Sequence, residues 1–133
     1  MTIKFGKDKS SDLFSKIAEE YAKKIKTIEG KNNTKNKNTQ IRKFYDELLL
    51  WNNKINIASL KKEEREEKFK EFEPFIKMLK AKVAYAKARE YVDDNFKLMF
   101  DQCINEINSP ESLKDAKFFL EAVIAYSKFH EKQ

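Results

Sequence analysis

Covalent or metal chemistry in this chain would have to come from one histidine, one cysteine and a run of glutamates, and none is arranged for it. His130 lies near the end of the sequence, where side chains are usually mobile, and no second histidine exists to share a metal site with it. Cys103 falls beside Phe100, Ile104 and Ile107 at helical spacing. No neighbouring base is present to lower its pKa, so it reads as a core thiol. A single cysteine also excludes an internal disulfide and a cysteine-based zinc site. Glu63, Glu64, Glu66, Glu67, Glu71 and Glu73 alternate with Lys62, Arg65, Lys68 and Lys70, the pattern of a solvated helix face. Gly6 and Gly30 stand alone and build no phosphate loop. The expectation is a protein that is not an enzyme and holds no metal or cofactor.

Non-covalent chemistry has better support. The chain carries 28 basic and 22 acidic residues, a formal charge of +6. Two windows are basic and free of acids. In residues 30–45 they are Lys31, Lys35, Lys37, Arg42 and Lys43, on a polar loop that runs into a helix N-terminus. Unpaired N–H groups and the positive dipole end there suit a phosphate. The second window, "FIKMLKAKVAYAKAR" over 75–89, has Phe75, Ile76, Leu79, Val83 and Ala86 as a predicted buried stripe. Lys77, Lys80 and Lys87 line one flank and Lys82 and Arg89 the other, around outward Ala81, Ala84 and Ala88. Small residues between point charges would admit a sugar–phosphate backbone without reading bases. Lysines are also what exposed helix positions ordinarily carry, so charge patterning alone leaves both readings open.

The elements that position these residues are helical. Two Gly and two Pro among 133 residues are too few for a fold of many short connections. The pattern predicts an all-α fold: one antiparallel bundle of five to six helices, with no strands. Residues 1–10 read as a flexible lead-in and 11–133 as the single domain. A helix is expected over 12–28, then an Asn-rich loop over 29–38. The next helix is N-capped by Thr39 and has Ile41, Phe44, Tyr45, Leu48, Trp51 and Ile55 on one face. Pro74 is expected to break or kink the chain and start a second helix over 74–90. Ser109-Pro110-Glu111 restarts the last helix, over 110–130. That helix is apolar on both sides: Leu113, Ala116, Leu120, Val123 and Ile124 on one, Phe118, Phe119, Ala122, Tyr126 and Phe129 on the other. Such a helix is central in its own bundle or half-covered by another subunit. Leu50, Phe118, Phe119, Tyr126 and Phe129 are therefore candidate subunit contacts. No apolar run approaches a membrane span or a signal segment, which points to a cytoplasmic protein with no membrane partner.

Three blocks carry a resemblance: "TQIRKFYDELL" (39–49), "FIKMLKAKVAYAKAR" (75–89) and "FFLEAVIAYSKFH" (118–130). In order and spacing they resemble the small subunit of the type III-A CRISPR effector, the Csm complex. The resemblance implies a non-catalytic helical subunit acting in antiviral defence. Several copies would stack along the guide RNA–target RNA duplex, beside larger subunits that cleave the target. Its partners would be guide RNA, target RNA, the other Csm subunits and further copies of itself. The RNA-facing positions it implies are Arg42, Lys43, Lys77, Lys80, Lys82, Lys87 and Arg89, and Lys35 and Lys37 in the preceding loop join them as candidates. The family often has glycine where this chain has Ala88. The competing reading is a helical protein–protein interaction module that touches no nucleic acid.

Overall fold

The computed structural model describes residues 2–28 and 30–131. It is an all-α bundle with helices α1 (Ala18–Lys26), α2 (Asn38–Ile55), α3 (Lys62–Lys77), α4 (Leu79–Ala88), α5 (Asp94–Asn105) and α6 (Pro110–His130). The first predicted helix is shorter than its periodicity suggested. A single π-helical turn, Leu13–Ile17, precedes α1, and the helix stops at Lys26. The expectation of no strands is corrected here: Thr27–Ile28 (β1) pairs antiparallel with Lys31–Asn32 (β2), and Gly30 closes the turn at φ 78°. Thr27 is β-branched and leaves the helix in extended backbone, where its restricted χ1 is no handicap.

Helix α6 is the centre of the bundle, packed against α1, α2 and α3. Its start is built as the sequence implied, with Ser109 Oγ accepting the Ser112 N–H at 3.1 Å and Pro110 in the first turn. Leu113, Ala116, Phe119, Leu120 and Val123 are buried along it. Phe119 is a correction to the candidate subunit contacts. It has no exposed surface, and its ring meets Phe5 and Tyr21 at centroid distances of 6.1 and 6.0 Å. Phe118, one position before it, is turned about 100° outward and is exposed.

The lead-in expected to be flexible instead packs onto the bundle. Ile3 and Phe5 are buried, the Gly6 N–H donates to Asp115 Oδ2 at 2.8 Å, and Lys9 pairs with Asp115 at 3.3 Å. Two apolar side chains in a polar stretch were enough to seat it. His130 is likewise anchored, 2.7 Å from Glu19 across the α1–α6 packing.

The expected break at Pro74 is also corrected. Helix α3 runs through Pro74 and is interrupted four residues later, at Met78. Pro74 removes the donor for the Lys70 carbonyl, but both residues are exposed, so water can satisfy that oxygen. Hydrogen bonding crosses the interruption: Met78 N–H donates to the Pro74 carbonyl and Lys82 N–H to that of Met78. Because α3 keeps its phase, Phe75 lies beside the buried stripe rather than in it. It is 49% exposed and stacks on Trp51 at 5.8 Å. Ile76, Leu79, Val83 and Ala86 are buried as predicted.

Cys103 is a core thiol within α5, and burial pushes its pKa up. It should resist a thiol-specific reagent in the native protein and react only on unfolding. Replacing Phe119 by Ala should cost about 3–5 kcal/mol of unfolding free energy, measured by urea denaturation.

Candidate nucleic-acid interface

The two basic windows meet in space because the Asn-rich loop between β2 and α2 is docked on the corner between α4 and α5. Asn36 is buried, with φ 57°; its side-chain amide donates to the Ile25 carbonyl at 3.0 Å and to Asp93 Oδ1 at 2.8 Å. The Asp93 N–H donates back to Asn36 Oδ1 at 2.9 Å, and the Asn36 N–H reaches the Tyr91 carbonyl at 3.0 Å. Asn33 adds amide bonds to Ile25 O and Asp93 Oδ2, at 3.1 and 2.8 Å. Asp93 also accepts the Phe96 N–H at 3.0 Å and so caps α5. Asparagine suits this work because its short amide tolerates left-handed backbone and serves as donor and acceptor at once. Lys26, at the end of α1, is buried under the loop and donates to Asn36 O at 3.3 Å; burial lowers its pKa.

Beyond the loop, α2 starts at Asn38 with Lys37 at the N-cap and no side-chain cap, which corrects the assignment of Thr39 to that role. Arg42 and Lys43 diverge at their neighbouring positions. Arg42 lies with Tyr45, Glu121, Ile124 and Lys128 along a groove between α2 and α6. Lys43 shares a helix side with Glu47, one turn on, which pairs with Lys82 of α4.

Along α4, Ala81, Ala84 and Ala88 are exposed, as the helical wheel required. The window is acid-free only in sequence, since the fold returns carboxylates to it. Lys82 pairs with Glu47 at 2.9 Å, Lys87 with Asp94 at 3.2 Å, and Lys35 of the loop with Glu90 at 3.5 Å. Lys80 donates to Asn105 Oδ1 at 2.6 Å. Lys37, Lys43 and Lys77 make no ion pair with any described residue and are exposed. These surface pairs are worth about 0–1 kcal/mol each, so a phosphate can displace the carboxylate at little cost.

Arg89 closes the window between two tyrosines. Its guanidinium donates to Tyr85 Oη and to Tyr91 Oη, both at 3.0 Å, and the Tyr85 bond leads the contacts that raise its pKa. The chain then turns through Glu90 at φ 63°. Tyr91 N–H bonds the Ala86 carbonyl and Glu90 N–H that of Lys87, the two bonds of a Schellman end. Tyr91, Glu90, Asp93 and Asn36 were not singled out from the sequence. Only Asp93 left a signal, an acidic cap three residues before buried Phe96.

Of the candidate subunit contacts, Leu50, Phe118 and Phe129 are exposed, and Phe129 most of all, at 77%. Phe118 is partly covered by Phe14, with ring centroids 5.9 Å apart, and by the Lys117 ammonium. Tyr126 is partly buried against the core.

Fold and surface together define a small, basic, mostly helical protein. Among the described residues no three His, Cys, Asp or Glu side chains gather as a metal site, and no helix is long and apolar enough to cross a membrane. The chain belongs to the Csm2 Type III-A family, whose model matches residues 8–133, which makes it a small subunit of the type III-A CRISPR effector. Membership implies association with the other subunits of the Csm complex. No curated protein and no solved structure matches the chain significantly.

Replacing Asp93 by Ala removes the α5 cap and one partner of each of two loop amides. It should cost about 2–3 kcal/mol of stability. Hydrogen exchange at the Asn36 amide should rise with it, checked by NMR.

Proposed function

We propose that this subunit binds the sugar–phosphate backbone of guide–target RNA through the α4–α5 corner, without catalysis and without reading base sequence. The observation that carries this is the docking of the Lys35 loop on the corner that follows α4, through the Asn36–Asp93 bonds and the Lys35–Glu90 pair. It sets Lys35 beside the Arg89 end of the window that runs from Lys77 through Lys80, Lys82 and Lys87, with Lys37 in the same loop. From Lys77, at the end of α3, to Arg89, just past α4, the window spans about 18 Å at 1.5 Å per residue, enough for several successive phosphates. Exposed alanines between the cations leave room for a backbone to approach. Lys43 extends this surface toward α2. Arg42, on the α6 side, would meet only an RNA that wraps the helix.

The role is positional. Copies laid side by side along the duplex would hold the target strand in register for a neighbouring subunit's active site, and repetition would supply avidity that one copy lacks. Guide RNA, target RNA and further copies of the chain are its partners in this reading, and antiviral defence in the cytoplasm its setting.

A second reading, a protein–protein module that makes no RNA contact, is favoured by one observation: the exposure of Phe129 at the end of α6. Charge reversal separates the two. Lys77→Glu with Lys80→Glu should lower affinity for a guide–target RNA duplex at least tenfold at about 0.1 M salt. The slope of log K against log salt should become shallower by about 1.4–1.8. Circular dichroism should be unchanged, since both side chains leave the core untouched. An unaltered slope would sink the RNA reading. Under the second reading Phe129→Asp would instead release the subunit from the purified complex while RNA affinity stays the same.

A further inference from the structure

We propose that Tyr85, Arg89 and Tyr91 form a stacking platform for an unpaired RNA nucleobase, a contact separate from the phosphate-facing lysines. It rests on the RNA reading above and adds a ligand group to it. Both rings are presented to solvent, Tyr85 at 63% and Tyr91 at 42% exposure. They are not loose. The Arg89 guanidinium holds both phenol oxygens at 3.0 Å, with its central carbon 5.8 and 5.3 Å from the two ring centroids. Two aromatic faces and a planar cation fixed side by side offer π-surface without side-chain ordering at the moment of binding.

The backbone under the platform is held at a cost. Glu90 adopts the left-handed conformation that glycine normally supplies at a helix end, and its side chain is exposed. The turn seats Val92 in the core two residues on. It also brings Tyr91 back beside Arg89, where the Ala86 carbonyl and the Asn36 N–H fix its backbone. Lys35 and Lys87 stand on either side of the corner, paired with Glu90 and Asp94, and supply charge for the phosphates flanking a stacked base. A duplex hides base faces in its own stack, so the ligand is a nucleotide outside Watson–Crick pairing. Stacking is indifferent to base identity, which agrees with backbone binding that reads no sequence.

The test compares two labelled single-stranded probes of about ten units, oligoadenylate and an abasic ribose-phosphate oligomer of equal length, by fluorescence anisotropy at low salt. The wild-type chain should bind oligoadenylate about tenfold more tightly, the scale of one stacked base. Tyr85→Ala with Tyr91→Ala should bring oligoadenylate down to the abasic level. Tyr85→Phe with Tyr91→Phe, which keeps the rings, should retain most of the difference. Equal binding of the two probes by the wild type overturns the platform and leaves phosphate binding standing. Binding of neither probe nor duplex removes the RNA reading and the platform with it. A preference for oligoadenylate that survives both Ala substitutions places stacking elsewhere and overturns this assignment.

Discussion

One carboxylate organises the α4–α5 end of this molecule. Asp93 accepts from the first turn of α5 and from the amides of Asn33 and Asn36, while its own N–H returns to Asn36. An ionised carboxylate can accept several such bonds, and charge-assisted bonds are stronger than neutral ones. The consequence is geometric. A loop that would otherwise be polar and solvated becomes part of the same body as α4, and the cations on each keep fixed relative positions. Lys26 fits the same logic, since its ammonium is buried only because the loop carbonyl above it is held in place.

The bundle itself was legible because helix periodicity and core burial agree. Ile76, Leu79, Val83 and Ala86, and Leu113, Ala116, Leu120 and Val123, are buried where spacing put them. Departures arise where tertiary contacts outweigh local signals. Ile3 and Phe5 carry no periodicity, yet two buried side chains and the Gly6–Asp115 bond fix the segment. Pro74 looked decisive because proline lacks an N–H, but on an exposed helix face that loss is borne by solvent. Phe119 and Phe118 are adjacent and alike in chemistry; only the phase of α6 against α1 tells core from surface.

The surface was legible in part. Sequence located the cations of α4 and the alanines between them, but it could not show that Glu47 and Asp94 would return to balance Lys82 and Lys87. Acid-free windows are a property of the chain, whereas potential is a property of the fold. Nor could it show that an Asn-rich stretch, typical of a plain loop, is the element that joins the two windows. The information was distributed over Asn33, Asn36 and Asp93, about sixty positions apart, as a donor–acceptor match rather than a motif.

The seating of the N-terminal segment bears on how the chain is made. The Gly6–Asp115 hydrogen bond spans 109 positions, and Phe5 closes on a ring of the last helix. During synthesis the start of the chain therefore waits, with Ile3 and Phe5 uncovered, until α6 has left the ribosome. Final closure of the core is a late, long-range step. Secondary structure in α2 and α5 can form earlier, from local sequence alone, but tight packing around α6 comes only once that helix has been made. A chain truncated within α6 would lose both the centre of the bundle and the surface on which the N-terminal segment docks.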